Sequence, residues 1–308
     1  MSLDTSRAVA TLLGLTAKFD AGVAAAKPIY PEICTIFQST GADEAYGPLG
    51  AMPGVREWLG DREFNTIRAG TFTISNREWE NSLEILKNDI DDDRLGVYGP
   101  LLENMGMEAA HHPDELVIET LVAGESTACF DGQYFYDTDH SWGDSGTQSN
   151  DLTYNASDHT AVTETEFRAA YHQARAAMLN FKRDNGKAFI RPTVRPLPNL
   201  LLMVPTTLEK VAHEAINKPL VNGGESAIVL DQPRIVTLPD SYLSSGVKFY
   251  LHNLSSPLRP FVFQARRPLA RQMKGMDDRE FKGVKFMTDA RYNVGYFAWW
   301  NSVLTTFN

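Results

Sequence analysis

Asp137, Asp139 and Ser141 are the residues whose types and spacing come closest to catalytic chemistry. They follow the short apolar stretch 133–136 in the order Asp-x-Asp-x-Ser. In a metal-dependent phosphatase, one such carboxylate attacks phosphorus and a second acts as acid and base, with Mg²⁺ held between them. The same residue types are also typical of a chain reversal, in which short carboxylates accept backbone N–H groups.

We favour the structural interpretation of this motif. Its spacing resembles the aspartate-nucleophile motif of haloacid dehalogenase-type phosphatases only superficially, because so short a match is common by chance. Catalysis would also require a lysine or arginine to neutralise the phosphoryl oxygens, and none lies nearby in the sequence. We therefore expect Asp137, Asp139 and His140 to form a structural turn, and we expect a protein that is not an enzyme.

The other candidates for metal or cofactor chemistry are weaker. An acidic cluster at residues 89–93 (Asp89, Asp91, Asp92 and Asp93) has the first ligands of a calcium loop, but Gly96 and Pro100 do not match the rest of such a loop. The cluster is better interpreted as helix-start charge. His111 and His112 are adjacent and cannot share one face of a helix. With no phosphate-loop or dinucleotide glycine pattern, no metal and no cofactor are expected.

The composition predicts a folded protein with a sizeable core, in two lobes. The 308 residues are 43% hydrophobic and 22% charged, and they contain no run of 18 apolar residues that could span a membrane. Residues 1–15 make a poor signal peptide, so the expected location is the cytoplasm. Cys34 and Cys129 are the only cysteines. They are expected to be small buried residues, with a disulfide as the less favoured alternative.

The net charge of −10 argues against sequence-specific nucleic-acid binding. One basic segment stands out, with Arg266, Arg267, Arg271 and Lys274. The simplest interpretation is a solvated loop or a set of ion pairs between subunits. Of the two possible partners, DNA or an acidic neighbour such as the cluster at 89–93, we favour the acidic neighbour.

A long hairpin is predicted before the main helix. Residues 79–87 alternate between an apolar and a polar face, residues 64–74 supply an earlier strand, and the tip is expected within residues 70–76. A lone two-stranded ribbon is marginal in water, so its apolar side chains should be buried against this chain or another one. The residues assigned to a subunit interface are Phe64, Phe72, Ile74, Trp79, Leu83 and Ile85, with Arg266 and Arg267 from the basic segment.

Residues 98–122 predict a long helix. Its apolar stripe consists of Tyr98, Leu101, Leu102, Met105 and Ala109, and it resumes over residues 116–121. Pro113 is expected to open a fresh turn and Gly124 to stop the helix. The resulting kinked helix, about 36 Å long at ~1.5 Å per residue, would serve as a strut.

Residues 160–245 predict a small α/β lobe. A capping box of Thr163 and Glu166 opens a helix whose apolar face continues towards Gly186. A strand at residues 199–204 leads to a second capping box, Thr206 with Glu209, and another helix. From residue 246 onward, aromatic and β-branched residues predict strands.

Six stretches of this sequence together resemble the major head subunit of Mu-like bacteriophages. They are YGPLGAMPGVREWLG, LKNDIDDDRLGVYGPLLENMG, HHPDELVIETL, CFDGQYFYDTDH, LRPFVFQARR and MTDARYNVGYFAWWNSV. They fall in the same order as in that family and span residues 43–160 and 246–304. The resemblance is weakest over residues 1–40 and in the α/β lobe.

The resemblance implies an α+β protein with the Hong Kong 97 fold of tailed-phage capsids. It implies an N-terminal arm (1–50), an extended loop (51–88), a peripheral domain with a spine helix (89–159), an axial domain (160–245) and a C-terminal β part of the peripheral domain (246–308).

The function implied by the resemblance is structural. The chain would be a major capsid subunit that assembles as hexamers and pentamers into the icosahedral head around the double-stranded DNA genome. It would be made in the host cytoplasm and end in the virion, with scaffold, portal and decoration proteins as partners, non-specific DNA contact and no membrane. A non-viral, encapsulin-like compartment shell is the alternative, and a metal-dependent phosphatase using Asp137 and Asp139 is a more distant one. DNA or a protein cargo inside the particle would separate the two shells.

Overall fold

The structure is a computed structural model that describes residues 2–46, 72–86, 88–89, 95–218, 229–243, 246–274 and 283–308. Its helices are α1 (Ser2–Ala25), α2 (Tyr30–Ile33), α3 (Leu95–Ala123), α4 (Glu164–Asn180) and α5 (Thr206–Asn217). Its strands are β1 (Cys34–Gln38), β2 (Asp43–Tyr46), β3 (Phe72–Ser75), β4 (Arg77–Leu86), β5 (Asp151–Tyr154), β6 (Leu200–Pro205), β7 (Arg234–Leu238), β8 (Lys248–Asn253), β9 (Phe261–Lys274), β10 (Gly283–Tyr296) and β11 (Ser302–Phe307). Within the described residues, no helix combines the length and the hydropathy needed to cross a bilayer.

One sheet contains four strands in the order β1-β9-β10-β4. The long strands β9 and β10 lie at its centre and pair antiparallel, whereas β1 pairs parallel with β9. The burial of β10 alternates along most of its length, which is the period expected of a strand with one side chain in two facing the core. The strands predicted from residue 246 onward are confirmed.

A second sheet contains five strands in the order β5-β11-β8-β6-β7. The unbroken apolar run of β6 is buried throughout, as expected for a strand covered on both faces. Helix α4 packs against β11 and β8, where the Phe167 ring lies 5.0 Å from Phe249 and 5.9 Å from Phe307, measured between ring centres. Both sheets contribute side chains to one large hydrophobic core.

The predicted pairing of the hairpin is wrong. Strand β3 pairs with β2, so that Phe72 lies opposite Tyr46, and β4 pairs with β10 over its whole length. Only Asn76 separates β3 from β4, and its side chain donates to the carbonyl of Gly41 and the hydroxyl of Ser39. Alternation identified the strands but could not identify their partners. The predicted helical turn at 52–61, and the part of the earlier strand up to residue 71, lie outside the described residues.

The long helix is confirmed, and it is longer than predicted. Helix α3 runs without a break from Leu95 to Ala123 and contains both Pro100 and Pro113, so no fresh helix begins at Pro113. At ~1.5 Å per residue it is about 43 Å long. Of the predicted stripe, Leu102 and Met105 are buried. Leu101, in contrast, is 51% exposed, so only part of the predicted stripe faces the core.

Helix α1 packs along α3 and helps to form a second, smaller core. The two helices approach closely at Gly22 and Gly106, because a Cβ atom at either position would clash with backbone atoms of the other helix. The smaller core consists of Leu15, Phe19, Ile85, Leu102, Met105 and Phe286. The segment expected to be an arm is therefore packed against the long helix over the residues described.

One predicted capping box is confirmed and the other is wrong. Thr163 accepts the backbone N–H of Glu166, and the Glu166 carboxylate accepts the backbone N–H of Thr163. Helix α5 begins at Thr206 without a side-chain cap, because the N-cap position is taken by Pro205, whose side chain has no acceptor. Glu209 instead accepts a hydrogen bond from the hydroxyl of Thr237. Helix α4 ends at Asn180, before the predicted stop at Gly186.

Candidate functional site

The described residues of the predicted interface divide into two groups by burial. Ile74 is 4% exposed and Ile85 is fully buried, so their apolar area is already covered by this chain. Phe72, Trp79 and Leu83 are half-buried and retain surface that another chain can cover. Phe64 lies outside the described residues.

Trp79 is held at the junction of β4, β10 and α3. Its indole Nε1 donates to the carbonyl of Tyr292 at 3.0 Å, and the guanidinium of Arg77 lies 4.8 Å from the ring centre. The His112 ring centre is 4.4 Å away, and its Nδ1 lies 2.8 Å from the Tyr292 hydroxyl. Burial lowers the pKa of His112, although nearby Glu115 opposes the shift. From its residue type this histidine was considered only as a metal ligand, and no local pattern indicated its packing role.

The basic segment lies on strand β9, so the solvated-loop interpretation is wrong. Arg266 donates to the carbonyl of Ser39 at 3.2 Å, Arg267 forms an ion pair with Asp289 at 2.7 Å, and Arg271 pairs with Asp20. Each of these three cations has a partner in its own chain. In the acidic cluster, Asp89 accepts a hydrogen bond from the Tyr98 hydroxyl at 2.6 Å, and Asp91–93 lie outside the described residues.

The Asp137 carboxylate is used by the backbone around it. It accepts the N–H of Tyr134 at 3.1 Å and the N–H of Thr138 at 2.7 Å. Asp139 is exposed to solvent. The geometry is therefore that of a turn, with short carboxylates satisfying backbone donors.

His140 is fully buried and belongs to a different network from Asp139. Its Nδ1 lies 2.7 Å from Asp131 Oδ2, its Nε2 lies 3.2 Å from Asn150 Oδ1, and its ring stacks on Trp299 at 4.0 Å. The Asn150 amide nitrogen donates to the carbonyls of Phe135 and of a residue in β11. These contacts attach the loop at 128–150 to the five-stranded sheet.

Cys129, Asp131 and His140 place three potential metal-ligand atoms within 4.8 Å of one another. A hydrogen-bonded network explains this cluster. The Asp131 carboxylate accepts from the Cys129 thiol at 2.9 Å, from the backbone N–H of Gln133 at 3.3 Å and from His140. Burial raises the pKa of the Cys129 thiol, which favours the protonated donor over the thiolate that binds metals. This cluster was not predicted from the sequence.

A second buried network also escaped the sequence analysis. The Tyr136 hydroxyl lies 2.7 Å from Ser302 Oγ, which lies 3.0 Å from His252 Nδ1. A serine beside a histidine can act as a nucleophile, but such a nucleophile must be reachable by substrate. Ser302 and His252 are both fully buried. The arrangement therefore anchors β11 to β8.

Comparison with known proteins places the chain among phage head proteins. The family model described as Mu-like prophage major head subunit gpT matches residues 9–167 and 240–306. The Mu-like prophage FluMu major head subunit of Haemophilus influenzae is 45% identical over 157 residues, which cover 50% of this chain and 51% of that protein. The major capsid protein of Escherichia phage Mu is 36% identical over 122 residues, which cover 40% of each chain. The chain thus spans about half the length of the curated relatives it matches.

The solved structures agree with these relatives. A chain of the procapsid of bacteriophage JBD30 superposes with a TM-score of 0.57 and 25% identity, covering 97% of this chain and 74% of that chain. The mixed α+β architecture is the Hong Kong 97-like fold of phage capsid proteins. Because the family model covers most of the sequence and the fold agrees with it, the chain belongs to the family of Mu-like prophage major head subunits.

Proposed function

We propose that the chain is a major capsid subunit that assembles with copies of itself into an icosahedral phage head around double-stranded DNA. The observation that carries this proposal is the family match over residues 9–167 and 240–306. These residues include α3 and most of both sheets. The match thus covers the framework of the fold rather than a short motif.

The proposed role is structural and not catalytic. The Asp137 carboxylate is occupied by two backbone N–H groups, and the Ser302–His252 pair is buried away from solvent. Neither arrangement offers a substrate an accessible nucleophile. This supports a protein whose chemistry is association between subunits.

The proposed partners follow from this role. Copies of the chain would form hexamers and pentamers, with scaffold, portal and decoration proteins as further partners and non-specific contact with packaged DNA. We propose the division into arm, extended loop, peripheral domain and axial domain as expected from the sequence, with β4 belonging to the sheet of the peripheral domain. Phe72, Trp79 and Leu83 would contribute to the subunit contacts. Assembly would take place in the host cytoplasm and the product would be the capsid of the virion.

Electron microscopy and sedimentation of the purified chain test this function. Closed shells or capsomers at high concentration, alone or with the scaffold protein of the same phage, are the expected result. A monomer under every assembly condition would contradict the proposal. Shells filled with a defined protein instead of DNA in infected or induced cells would favour the compartment alternative.

A further inference from the structure

A cleft of about 230 Å³ lies between α3 and the four-stranded sheet. Small side chains line it where helix and sheet face each other, with Ala109 on α3 and Thr288 and Ala290 on β10. The cleft separates the two hydrophobic cores, since Met105 of α3 belongs to the smaller core and Leu116 to the larger one. The helix–sheet contact is therefore incomplete at this level of α3.

The mouth of the cleft is acidic. Glu80 from β4 and Glu108 and Glu115 from α3 line it, and no lysine or arginine is among its described lining residues. Glu115 also accepts a weak hydrogen bond from the Tyr242 hydroxyl at 3.4 Å. Three carboxylates around one opening make a local negative potential that favours a cation.

The inner wall of the cleft is largely apolar. It contains the rings of Trp79, His112 and Tyr292 and the side chain of Leu269. A group that fits both parts needs an aliphatic or planar stem and a cationic end. Lysine and arginine side chains have this form, because they bury their methylene groups along apolar surface while the charged end stays near the rim.

The basic residues that surround the cleft are engaged elsewhere. The Arg77 guanidinium lies over the Trp79 ring, and Arg77 lines a neighbouring groove. Those on α1 and β9 form ion pairs within the chain: Lys18 with Glu103, Arg267 with Asp289 and Arg271 with Asp20. None of these cations is among the described residues that line the cleft.

We propose that this cleft receives a lysine or arginine side chain from a second copy of the chain in the assembled shell. The inference rests on the proposed function, because only assembly brings a second copy to this surface. Two copies that each carry a net charge of −10 repel one another, so contacts between them must match carboxylate clusters with basic side chains. The cleft offers such a cluster together with an apolar seat.

The test compares two double variants of helix α3 that lose the same charge. Glu108→Gln with Glu115→Gln removes both carboxylates that α3 contributes to the cleft. The matched control, Glu103→Gln with Glu119→Gln, removes two carboxylates of α3 that do not line it. The critical concentration for shell assembly is measured at low ionic strength by light scattering and sedimentation.

The cleft variant is expected to raise the critical concentration about tenfold, equivalent to ~1.4 kcal/mol per subunit, and to weaken its dependence on salt. The control is expected to stay within about twofold of the wild type. Equal critical concentrations for the two variants would overturn the inference while wild-type shells leave the proposed function intact. Failure of the wild-type chain itself to assemble would instead count against the proposed function.

Unfolding of the dilute, unassembled chain identifies the source of the cation. If a second copy supplies it, urea unfolds the cleft variant at the same midpoint as the wild type, since nothing occupies the cleft in the monomer. A midpoint lowered only in the cleft variant would mean that a segment of the same chain, such as residues 47–71, fills the cleft. That result would overturn the inference.

Discussion

At the scale of single residues, hydrogen bonds between a polar side chain and its close neighbours in sequence were predicted correctly. Hydrogen bonds to residues farther along the chain were not predicted. Asp137 bonds to N–H groups within three residues of itself, so its residue type and its neighbours were enough to predict a turn. His140 depends on Asp131 and Asn150. No local sequence pattern predicts those partners, because only the fold brings them next to His140.

The turn predicts different effects for its two aspartates. Asp137→Asn should lower the free energy of unfolding by about 1 kcal/mol, because an amide keeps only one of the two acceptor oxygens. Asp139→Asn, at an exposed position, should change it by less than about 0.5 kcal/mol. Urea denaturation measures both. Hydrolysis of a phosphate ester with Mg²⁺ that disappears in Asp137→Asn would contradict the structural role.

Buried His252 predicts that stability falls in acid. Burial lowers its pKa from 6.5 to about 3, so between these values the unfolded chain binds a proton that the folded chain does not. Its stabilising contribution is complete above pH 6.5 and is lost as the pH falls towards 3, by up to about 1.4 kcal/mol per pH unit. Urea unfolding between pH 4 and 7 measures this slope.

The control for this slope is a pair of matched variants. His252→Gln cannot titrate and should make the slope smaller, and His213→Gln, at an exposed position of α5, is the matched histidine substitution. An equal slope in the wild type and in His252→Gln would show that other groups cause the acid sensitivity.

At the scale of elements, the periodicity of apolar residues predicted where helices and strands lie better than it predicted which strands pair. The alternation of residues 79–87 correctly gave β4, and the heptad-like spacing of 98–122 correctly gave most of α3. The pairing of β4 with β10 joins Ile85 to Val284, almost 200 positions along the chain, and alternation is the same whichever strand lies opposite. Proline likewise suggested a break at Pro113 that the packed helix does not make.

Replacing a glycine in α1 or α3 by alanine should change the free energy of unfolding in opposite directions at two positions. Gly106→Ala should destabilise the fold by about 1 to 3 kcal/mol, because its Cβ would clash with the backbone of Phe19 and Val23. Gly14→Ala, which meets nothing within 4 Å, should stabilise it by about 0.5 to 1 kcal/mol through helix propensity. Thermal or urea unfolding decides, and a stabilising Gly106→Ala would refute the close approach.

At the scale of the whole molecule, the resemblance of six stretches predicted the fold class and the family, which residue chemistry alone could not. The predicted lobe at 160–245 supplied β6 and β7, yet these strands complete a sheet with β5, β8 and β11 from outside it. Hydrophobic pattern shows that a strand is buried, but it does not show which sheet it joins. The subunit contacts depend on a second chain and were accordingly the least predictable part.

The strand pairing changes which segment can be removed without unfolding the chain. Tyr46 and Phe72 lie opposite each other, so an Asn-Gly turn can replace residues 47–71. The shortened chain should unfold in urea near the wild-type midpoint yet form no shells, as sedimentation would show. Normal shells from it would contradict the proposed role of the extended loop.

A second deletion serves as the comparison. Removing residues 64–82, which the predicted hairpin would treat as part of one arm, also takes away β3 and more than half of β4. This chain should be insoluble or unfolded by circular dichroism, because β10 loses one of its two strand partners. A well-folded product would show that β4 is not needed by the four-stranded sheet.

Both sheets join strands that are made at widely separated times during translation. β1 pairs with β9, β4 with β10, and β5 with β11. Each of these pairs must wait until a strand within residues 261–307 has left the ribosome, so a nascent chain has neither finished sheet for most of its synthesis. If the proposed function holds, chains on neighbouring ribosomes would have incomplete association surfaces, and shell growth would be delayed until both sheets had formed.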